Sequence, residues 1–415
     1  MSSTGSTLAT TAAEHVVAVS VARQARTRPV VAIVTRHWGE TQNEAVAATR
    51  LVAGALAGQA DVAVVQLDEA ERATYNDSVF EVHRVPVRGA NPRRNALLRG
   101  ALAGRVSPSG LPAAAIELLH RYDGEAPDVV GTLDELAPDA VVLVGVHQPW
   151  DIATLGLPGD PGRPWIVAIP FLGSGRPFPA EIARLVAPAD RIGTVHPGER
   201  APLVALAQNR ESDIVALDLA IGVNRHATAE PLVGVAAYGE YVLLVRRFPA
   251  GGPRVGRAVN AEMLPPILPG LSVAEVDGEA WRICDAYNTA TLPVNPSRVN
   301  FSRLVAHARA TVDVRPPGPV GSIAIESMLL GVPVVVPDES AAQAHVAAAN
   351  GGLWYRDVGE LFDAVRVVVS GPIGARLAAQ GRAYAQEKHG DIDAFVARMT
   401  ALVLGPAAKE GTGRN

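Results

Sequence analysis

A glycine-bearing turn between two apolar segments holds the groups in this sequence that are best suited to bind an anion. Val312 to Pro337 reads VDVRPPGPVGSIAIESMLLGVPVVVP: a β-branched strand, a Pro/Gly turn, a helix and a second strand. The helix begins at Gly321 and Ser322. Its free backbone N–H groups and its positive dipole end therefore point at the sheet's carboxyl edge, where a phosphate or diphosphate is the expected ligand. Glu326 follows about one turn later, where a carboxylate can accept hydrogen bonds from ribose hydroxyls.

This segment resembles the nucleotide-sugar end of the retaining GT-B glycosyltransferases of family 4. Their pattern is roughly P-S-x-x-E-x-F-G-x-x-x-x-E-A-x-x-x-G-x-P-V-V, followed by an N-G-x-x-x strand and a helix. Over about forty residues the sequence keeps, in order, Gly321, Glu326, Gly331, Pro333, Asn350 and Gly351. The resemblance implies an α/β fold of the GT-B class, with two Rossmann-like domains facing a central cleft. An ordinary doubly wound sheet with a helix cap at Gly321 and Ser322 is the alternative.

Two positions depart from the family pattern near the expected reaction centre. The first acid of the family's E-x7-E pair, which touches the transferred sugar in the family, is replaced by Gly318. A histidine that follows a later strand of the family's first domain is replaced by Pro170, which cannot donate a hydrogen bond. The resemblance therefore supports a nucleotide site more firmly than a sugar-transfer site.

Further site residues follow from the same resemblance. Arg246 or Arg247, after the first strand of the second domain, matches a basic residue that neutralises the diphosphate, and Gly39 lies in a loop that approaches the donor phosphates. The backbone from Val294 to residue 300 is expected to border the base, and His147 ends a strand on the cleft side as a contact for acceptor or sugar. We predict catalytic roles for His147 and Arg246. The alternatives are that the arginines are surface charges, that Gly39 belongs to a plain strand-to-helix turn, and that His147 is an incidental loop histidine.

Composition limits the classes of function. The 415 residues suit two domains. The balance of 37 basic and 42 acidic residues, without a block of like charges, argues against a nucleic-acid surface. Cys284, the single cysteine, excludes an intramolecular disulfide and is consistent with a reducing cytoplasm. No His, Cys or acidic residues stand at a recognisable metal spacing, so no metal is predicted. No apolar run reaches the roughly 20 residues of a membrane span, and attachment to a membrane surface stays open.

The order of apolar runs predicts the domain organisation. Residues 1–28 form a loose tail, 29–224 a first Rossmann-like domain for the acceptor, and 225–371 a second one for the nucleotide sugar. Residues 372–415 form helices, interrupted at Gly381 and Gly390, that cross back to the first domain in the resembled family. Continuous apolar runs such as Val30 to Val34 predict buried strands of parallel sheets.

The leading functional hypothesis is a cytoplasmic, metal-independent, retaining glycosyltransferase of the hexosyltransferase type. It uses a nucleotide-diphosphate sugar as donor and no cofactor, and its acceptor is an unknown glycan, lipid or small molecule. In this hypothesis Gly321 and Ser322 hold phosphate and Glu326 holds ribose. The alternative, motivated by Gly318 and Pro170, is a catalytically degenerate GT-B scaffold that binds nucleotide or partners an active enzyme. A nucleotide-sugar epimerase of the same architecture is a third hypothesis without a supporting residue set.

Overall fold

The computed structural model of the protein describes residues 26–36, 38–39, 44–68, 72–77, 79–86, 127–145, 163–172, 186–207, 210–223, 230–247, 259–278, 280–285, 288–292, 297–315 and 318–410. Within these ranges the chain builds two separate sheets with helices on both faces. The predictions at His147 and Val294 lie outside the described residues, as do the side chain of Arg247 and the tail at 1–25.

The first sheet has eight strands in the order β3-β4-β2-β1-β5-β6-β7-β8, and all neighbours except β3 and β4 are parallel. The strands are β1 Val30–Thr35, β2 Asp61–Asp68, β3 Ala73–Asp77, β4 Phe80–Pro86, β5 Ala140–Val144, β6 Trp165–Ile169, β7 Arg191–Thr194 and β8 Ile214–Ala216. The central strands are buried on both faces, as their continuous apolar runs predict.

The second sheet has seven strands in the order β12-β11-β10-β9-β13-β14-β15, and only β11 pairs antiparallel with its neighbours. The strands are β9 Tyr241–Arg247, β10 Ser272–Asp277, β11 Ala280–Cys284, β12 Thr289–Thr291, β13 Ala310–Asp313, β14 Val334–Pro337 and β15 Gly352–Tyr355. The first sheet thus ends before 224 and the second begins after 225. The domain boundary itself stays a prediction.

Helices connect the strands and cover both sheets. They are α1 Glu44–Ala57, α2 Pro127–Leu136, α3 Arg200–Leu206, α4 Val233–Ala236, α5 Arg298–His307, α6 Ser322–Leu329, α7 Ala341–Ala349, α8 Val358–Val369, α9 Gly371–His389 and α10 Ile392–Glu410. No described helix is both long enough and apolar enough to cross a membrane.

The last helix packs on the first sheet, although it follows the second sheet in the chain. Phe395 and Met399 of α10 are fully buried in the same core as Ile33 of β1. The Trp165 indole of β6 donates a hydrogen bond to the Leu402 carbonyl at 3.1 Å. Burial of apolar side chains, at about 25 cal/mol per Å², therefore holds the C-terminal segment against the first half of the molecule.

Three features differ from the sequence-based expectation. The strands β3 and β11 were not predicted, because β3 (ATYND) is a polar, half-exposed edge and β11 follows a tight turn at Gly278 without a Val/Ile run. The predicted helix break at Gly381 is wrong, since α9 runs unbroken from Gly371 to His389, whereas Gly390 does follow a helix end. Gly381 serves packing instead: a Cβ on it would lie 2.9 Å from Met328 Cγ and 3.1 Å from Gly351 Cα.

We expect Gly381→Ala to destabilise the protein, although alanine favours helices over glycine by about 1 kcal/mol. The added methyl has to displace a buried Met328 side chain and a neighbouring backbone, and overpacking of this kind costs about 1–3 kcal/mol. The matched control is Gly54→Ala in α1, where a Cβ meets nothing within 4 Å. Denaturant unfolding should show a loss for Gly381→Ala and an unchanged or raised stability for Gly54→Ala. A gain in both variants would contradict the packing role.

Candidate functional site

The strand orders place a candidate site at the carboxyl edges of both sheets. Strand order reverses between β1 and β5 in the first sheet and between β9 and β13 in the second. Ligands of open α/β sheets bind at such switch points, where the neighbouring loops diverge. The segment after β1 leads into α1, and the segment after β13 leads into α6. Direct hydrogen bonds join the first residue of α1 to the start of α6.

The start of α6 forms an anion cradle, by which we mean the backbone N–H groups of Val320, Gly321 and Ser322 together with the Ser322 hydroxyl. Gly321 adopts the left-handed conformation, with φ 71° and ψ 35°. A Cβ on Gly321 would lie 2.7 Å from the backbone N and Cα of Ala342, so only glycine fits between this turn and α7. The turn aims consecutive N–H groups in one direction, as expected for anion binding at a helix N-terminus.

In this structure the anion cradle binds the carboxylate of Glu44. One oxygen, Oε2, accepts from Val320 N at 3.0 Å and from Gly321 N at 3.1 Å. The other, Oε1, accepts from Ser322 N at 2.7 Å and from Ser322 Oγ at 2.6 Å. Burial raises the pKa of Glu44, but the Arg315 charge and the Ser322 and backbone hydrogen bonds outweigh it, so the pKa is lowered and the group is an anion at neutral pH.

Arg315 supplies the positive charge beside the anion cradle. Its guanidinium makes two hydrogen bonds to Asp313, Nε to Oδ1 at 2.9 Å and Nη2 to Oδ2 at 2.8 Å, and lies 3.7 Å from Glu44 Oε1. Burial lowers the pKa of Arg315, but the Asp313 charge and hydrogen bonds outweigh it, so the pKa is raised. Arg315 was not among the predicted site residues. Its position two residues after a strand that leads into the glycine turn was the signal available.

Glu326 is fully buried one turn inside α6. Its Oε1 accepts from Ser302 Oγ at 2.5 Å, and its Oε2 lies 2.6 Å from the Arg298 guanidinium of α5. Burial raises the pKa of Glu326, and the Arg298 charge opposes that rise. Arg298 is about half exposed, so it lies between the Glu326 carboxylate and solvent. In this state the predicted ribose-binding carboxylate is occupied by protein groups.

Arg246 lies at the carboxyl end of β9 and pairs with acids of the neighbouring strand. Its guanidinium is 3.0 Å from Glu275 and 3.4 Å from Asp277, and Arg282 also contacts Glu275 at 3.0 Å. The predicted diphosphate partner therefore belongs to a network of two arginines and two acids. Its diphosphate role stays a prediction, as does that of Arg247.

Two of the remaining predicted positions, Gly39 and Pro170, follow strands of the first sheet, and the third, Gly318, precedes α6. Gly39 follows β1 with φ 127°, which favours glycine, and a Cβ there would meet nothing within 4 Å. Pro170 directly follows β6, and the buried Phe171 after it has φ 55°, unusual for a non-glycine residue. Gly318 lies beside the anion cradle: a Cβ there would lie 2.1 Å from Glu44 Oε2. The missing side chain at 318 thus leaves the space that the Glu44 carboxylate fills.

A buried cluster of titratable side chains adjoins the anion cradle. His196 follows β7, His345 lies on α7, and Tyr384 and His389 lie on α9. The His345 ring is 5.0 Å from His389 and 6.3 Å from His196 between centroids, and its Nδ1 is 3.0 Å from the Tyr384 hydroxyl. His389 Nδ1 lies 2.9 Å from the Leu219 carbonyl. The cluster thus connects the turn after β7 of the first sheet with two helices, α7 and α9, that pack beside the second sheet.

Burial lowers the pKa of all three histidines. It lowers the pKa of His196 to about 4, opposed by the Glu44 charge. The pKa of His345 falls well below its usual value, first through burial and then through the neighbouring His389 and His196. Burial also lowers the pKa of His389, opposed by its hydrogen bond to Leu219. All three rings are therefore neutral at pH 7.

We expect acid to destabilise the folded protein through this cluster. A histidine whose folded-state pKa is lowered contributes stability above its unfolded pKa of 6.5, and that stability is lost as the pH falls. Each proton that the unfolded chain alone binds changes the free energy of unfolding by about 1.4 kcal/mol per pH unit. Glu199, with its pKa raised to about 7, and Glu326, whose pKa is also raised, act in the opposite sense above pH 4.5, but they are two groups against three histidines.

The test compares the wild type with His345→Gln. The unfolding free energy of the wild type should fall from pH 7.0 through 6.0 to 5.0, and that of the variant should fall less steeply or not at all, because one proton-binding group is removed. Equal slopes would show that His345 does not resist protonation in the folded state.

No group of three or more His, Cys, Asp or Glu side chains among the described residues is arranged to hold a metal ion.

Comparison with known proteins shows the fold. No protein-family model matches the sequence, and no curated protein matches it significantly. Among solved structures, the chain is similar to sucrose-phosphate synthase from Thermosynechococcus elongatus, with TM-score 0.58 and 14% identity over 92% of this chain and 99% of that one. It is also similar to WaaG, a glycosyltransferase of lipopolysaccharide biosynthesis, with TM-score 0.51 and 14% identity over 90% and 100%. The fold is GT-B. The predicted fold class is thereby confirmed.

A third similar structure includes ligands. It is Anabaena HepE in complex with UDP and glucose, with TM-score 0.55 and 12% identity over 92% of this chain and 100% of that one. At identities this low, the structural similarity establishes the shared fold, with its two sheets and switch points. The activity of this GT-B chain has to be argued from its own residues.

Proposed function

We propose that this GT-B protein is a glycosyltransferase that binds a nucleotide-diphosphate sugar with its diphosphate at the anion cradle. The observation that carries the proposal is the bound carboxylate of Glu44: four hydrogen bonds from Val320, Gly321 and Ser322 hold an anion at the switch point of the second sheet. A phosphate needs the same donors. Structural similarity to glycosyltransferases supports the transferase class.

In this proposal Arg315 balances the diphosphate charge, because it lies nearest to the anion cradle among the cations discussed above. A leaving diphosphate gains negative charge as the glycosidic bond breaks, and a fixed cation beside it stabilises the transition state. Arg246 and Arg247 are second candidates, of which Arg246 is held by Glu275 and Asp277. His147 stays the candidate contact for the acceptor or sugar.

Glu326 is assigned to the ribose hydroxyls. Arg298 lies on the solvent side of the Glu326 carboxylate. When ribose binds, its hydroxyls donate hydrogen bonds to this carboxylate in place of Arg298. Val294 and the following backbone are assigned to the base. A retaining, metal-independent reaction in the cytoplasm, with no cofactor, completes the proposal, and the acceptor is a glycan, lipid or small molecule.

The test uses the full-length protein and a panel of UDP-, GDP- and ADP-sugars with mixed acceptors, measuring released nucleoside diphosphate. We expect release with at least one donor, and calorimetric binding of its nucleoside diphosphate. Glu326→Gln should weaken nucleoside and nucleoside diphosphate binding alike, by about 1.5–3 kcal/mol, and leave inorganic diphosphate binding unchanged.

The control is Glu211→Gln, which alters an exposed acid paired with Arg200 and should change nothing. Binding of nucleoside diphosphate without turnover of any donor would replace the transferase by a nucleotide-binding scaffold. Absence of binding, in the wild type and in the Glu44 variants described below, would contradict the nucleotide site altogether.

A further inference from the structure

We propose that Glu44 is an internal competitor for the phosphate site: its carboxylate fills the anion cradle, and a diphosphate has to displace it. This inference rests on the proposed function, since it takes the anion cradle as the diphosphate site. Each backbone N–H makes one good hydrogen bond, and all three N–H groups of Val320, Gly321 and Ser322 are directed at Glu44. A phosphate and the carboxylate cannot share them, and their like charges repel.

The second observation is an unsatisfied histidine in the buried cluster, whose member His345 interacts with the backbone of Val320 in the anion cradle. The His196 side chain is 7% exposed, neither ring nitrogen makes a hydrogen bond, and Nε2 lies 3.5 Å from Glu199 Oε1. The charge of Glu44 acts on the pKa of this ring. Buried polar atoms without partners are rare in folded proteins. A diphosphate has more oxygens than a carboxylate, and we assign one of them as the partner that His196 lacks in this structure.

Gly318 shows that this chain accommodates Glu44 specifically. A Cβ at position 318 would lie 2.1 Å from Glu44 Oε2 and 2.9 Å from its Cδ. Any larger residue at 318 therefore excludes the carboxylate from its present place. Glu44 and Gly318 act as a matched pair from the two halves of the chain, although 274 positions separate them.

The competition links ligand binding to the contact between α1, beside the first sheet, and α6, beside the second sheet. Glu44 is the first residue of α1, beside the first sheet, and its partners begin α6, beside the second sheet. Its side chain is only 8% exposed, so the carboxylate is enclosed between these elements. Displacement by a diphosphate thus removes four hydrogen bonds that join the two halves.

The test measures binding of inorganic diphosphate and of UDP, GDP and ADP by calorimetry to the wild type, Glu44→Ala and Glu44→Gln. We expect Glu44→Ala to bind inorganic diphosphate at least about tenfold more tightly, the effect of one charge-assisted hydrogen bond or more. Glu44→Gln should gain less, because its amide keeps the volume and one oxygen. Glu211→Gln, the exposed control, should match the wild type. Thermal unfolding verifies that each variant is folded. If Glu44→Ala does not fold, the diphosphate affinity of Glu44→Gln is the result that decides.

The outcomes separate this inference from the proposed function. Unchanged or weaker diphosphate binding by the Glu44 variants overturns the competitor role. Absence of diphosphate binding in the wild type and in both Glu44 variants overturns it as well. If the wild type then still turns over a nucleotide sugar, the glycosyltransferase assignment survives alone. Tighter binding of inorganic diphosphate without binding or turnover of any nucleotide sugar supports the competitor and overturns the transferase.

Discussion

Arg315→Ala should destabilise the protein by about 3–5 kcal/mol, the cost of leaving a buried charge without its partner. Asp313 is 6% exposed, and the Arg315 side chain makes two hydrogen bonds to it. Removing the guanidinium leaves Asp313 and Glu44, whose carboxylate also lies within 4 Å of Arg315, without their shared cation. Denaturant unfolding at neutral pH gives the loss directly.

The matched control is Arg366→Ala, which breaks an exposed pair with Asp363 three positions away on α8. Exposed helix pairs contribute about 0.5 kcal/mol or less. Arg315→Lys separates charge from shape: it keeps a cation but loses the planar fork, and should fall between the wild type and Arg315→Ala. A loss for Arg315→Ala no larger than that for Arg366→Ala would show that Asp313 and Glu44 do not depend on the guanidinium.

Glu199→Ala is expected to be comparably damaging, by roughly 2–4 kcal/mol, because it leaves the buried Val195 N–H and the part-buried Leu172 N–H without an acceptor. The fully buried Glu199 carboxyl group accepts from Leu172 N and from Val195 N, both at 2.6 Å. It thereby holds the segment that follows β6, where Pro170 stands, against the turn that follows β7. Unfolding measurements on the purified variant provide the test.

The Glu199→Gln variant adds a pH signature. Burial raises the pKa of Glu199 to about 7, so its stabilising contribution is complete below pH 4.5 and is lost as the pH rises through 7. Glutamine does not titrate. The stability difference between the wild type and Glu199→Gln should therefore shrink between pH 5 and pH 8. A difference that grows over this range would mean that the folded protein favours the ionised form.

The two-sheet fold was predictable because it rests on local signals. Runs such as PVVAIVT and YVLLV predict buried parallel strands, and the structure contains β1 and β9 at those places. The turn at Gly321 was predictable for the same reason: strand, glycine, helix and strand follow one another within a short segment. Edge strands such as β3 lack that signal, because an exposed edge needs no apolar run.

The occupant of the anion cradle could not be predicted from local patterns. Glu44 is an unremarkable helix-starting acid in the sequence, and it meets Gly321 only because two switch points come together. Gly318 was interpreted as the loss of a carboxylate, whereas the structure places another carboxylate beside it. The roles of Arg315 and Glu199 likewise depend on contacts with other segments, with Glu44 for Arg315 and with Leu172 for Glu199. A single charged side chain carries no periodic signal of such a contact.

A crystal structure of the protein with a nucleoside diphosphate, UDP first, tests the central claim most directly. The proposed function predicts phosphate oxygens within about 3 Å of the backbone nitrogens of Val320, Gly321 and Ser322, with the Glu44 carboxylate displaced and the ribose at Glu326. A nucleotide bound elsewhere, with Glu44 still held by those three N–H groups, would contradict both the site and its competitor.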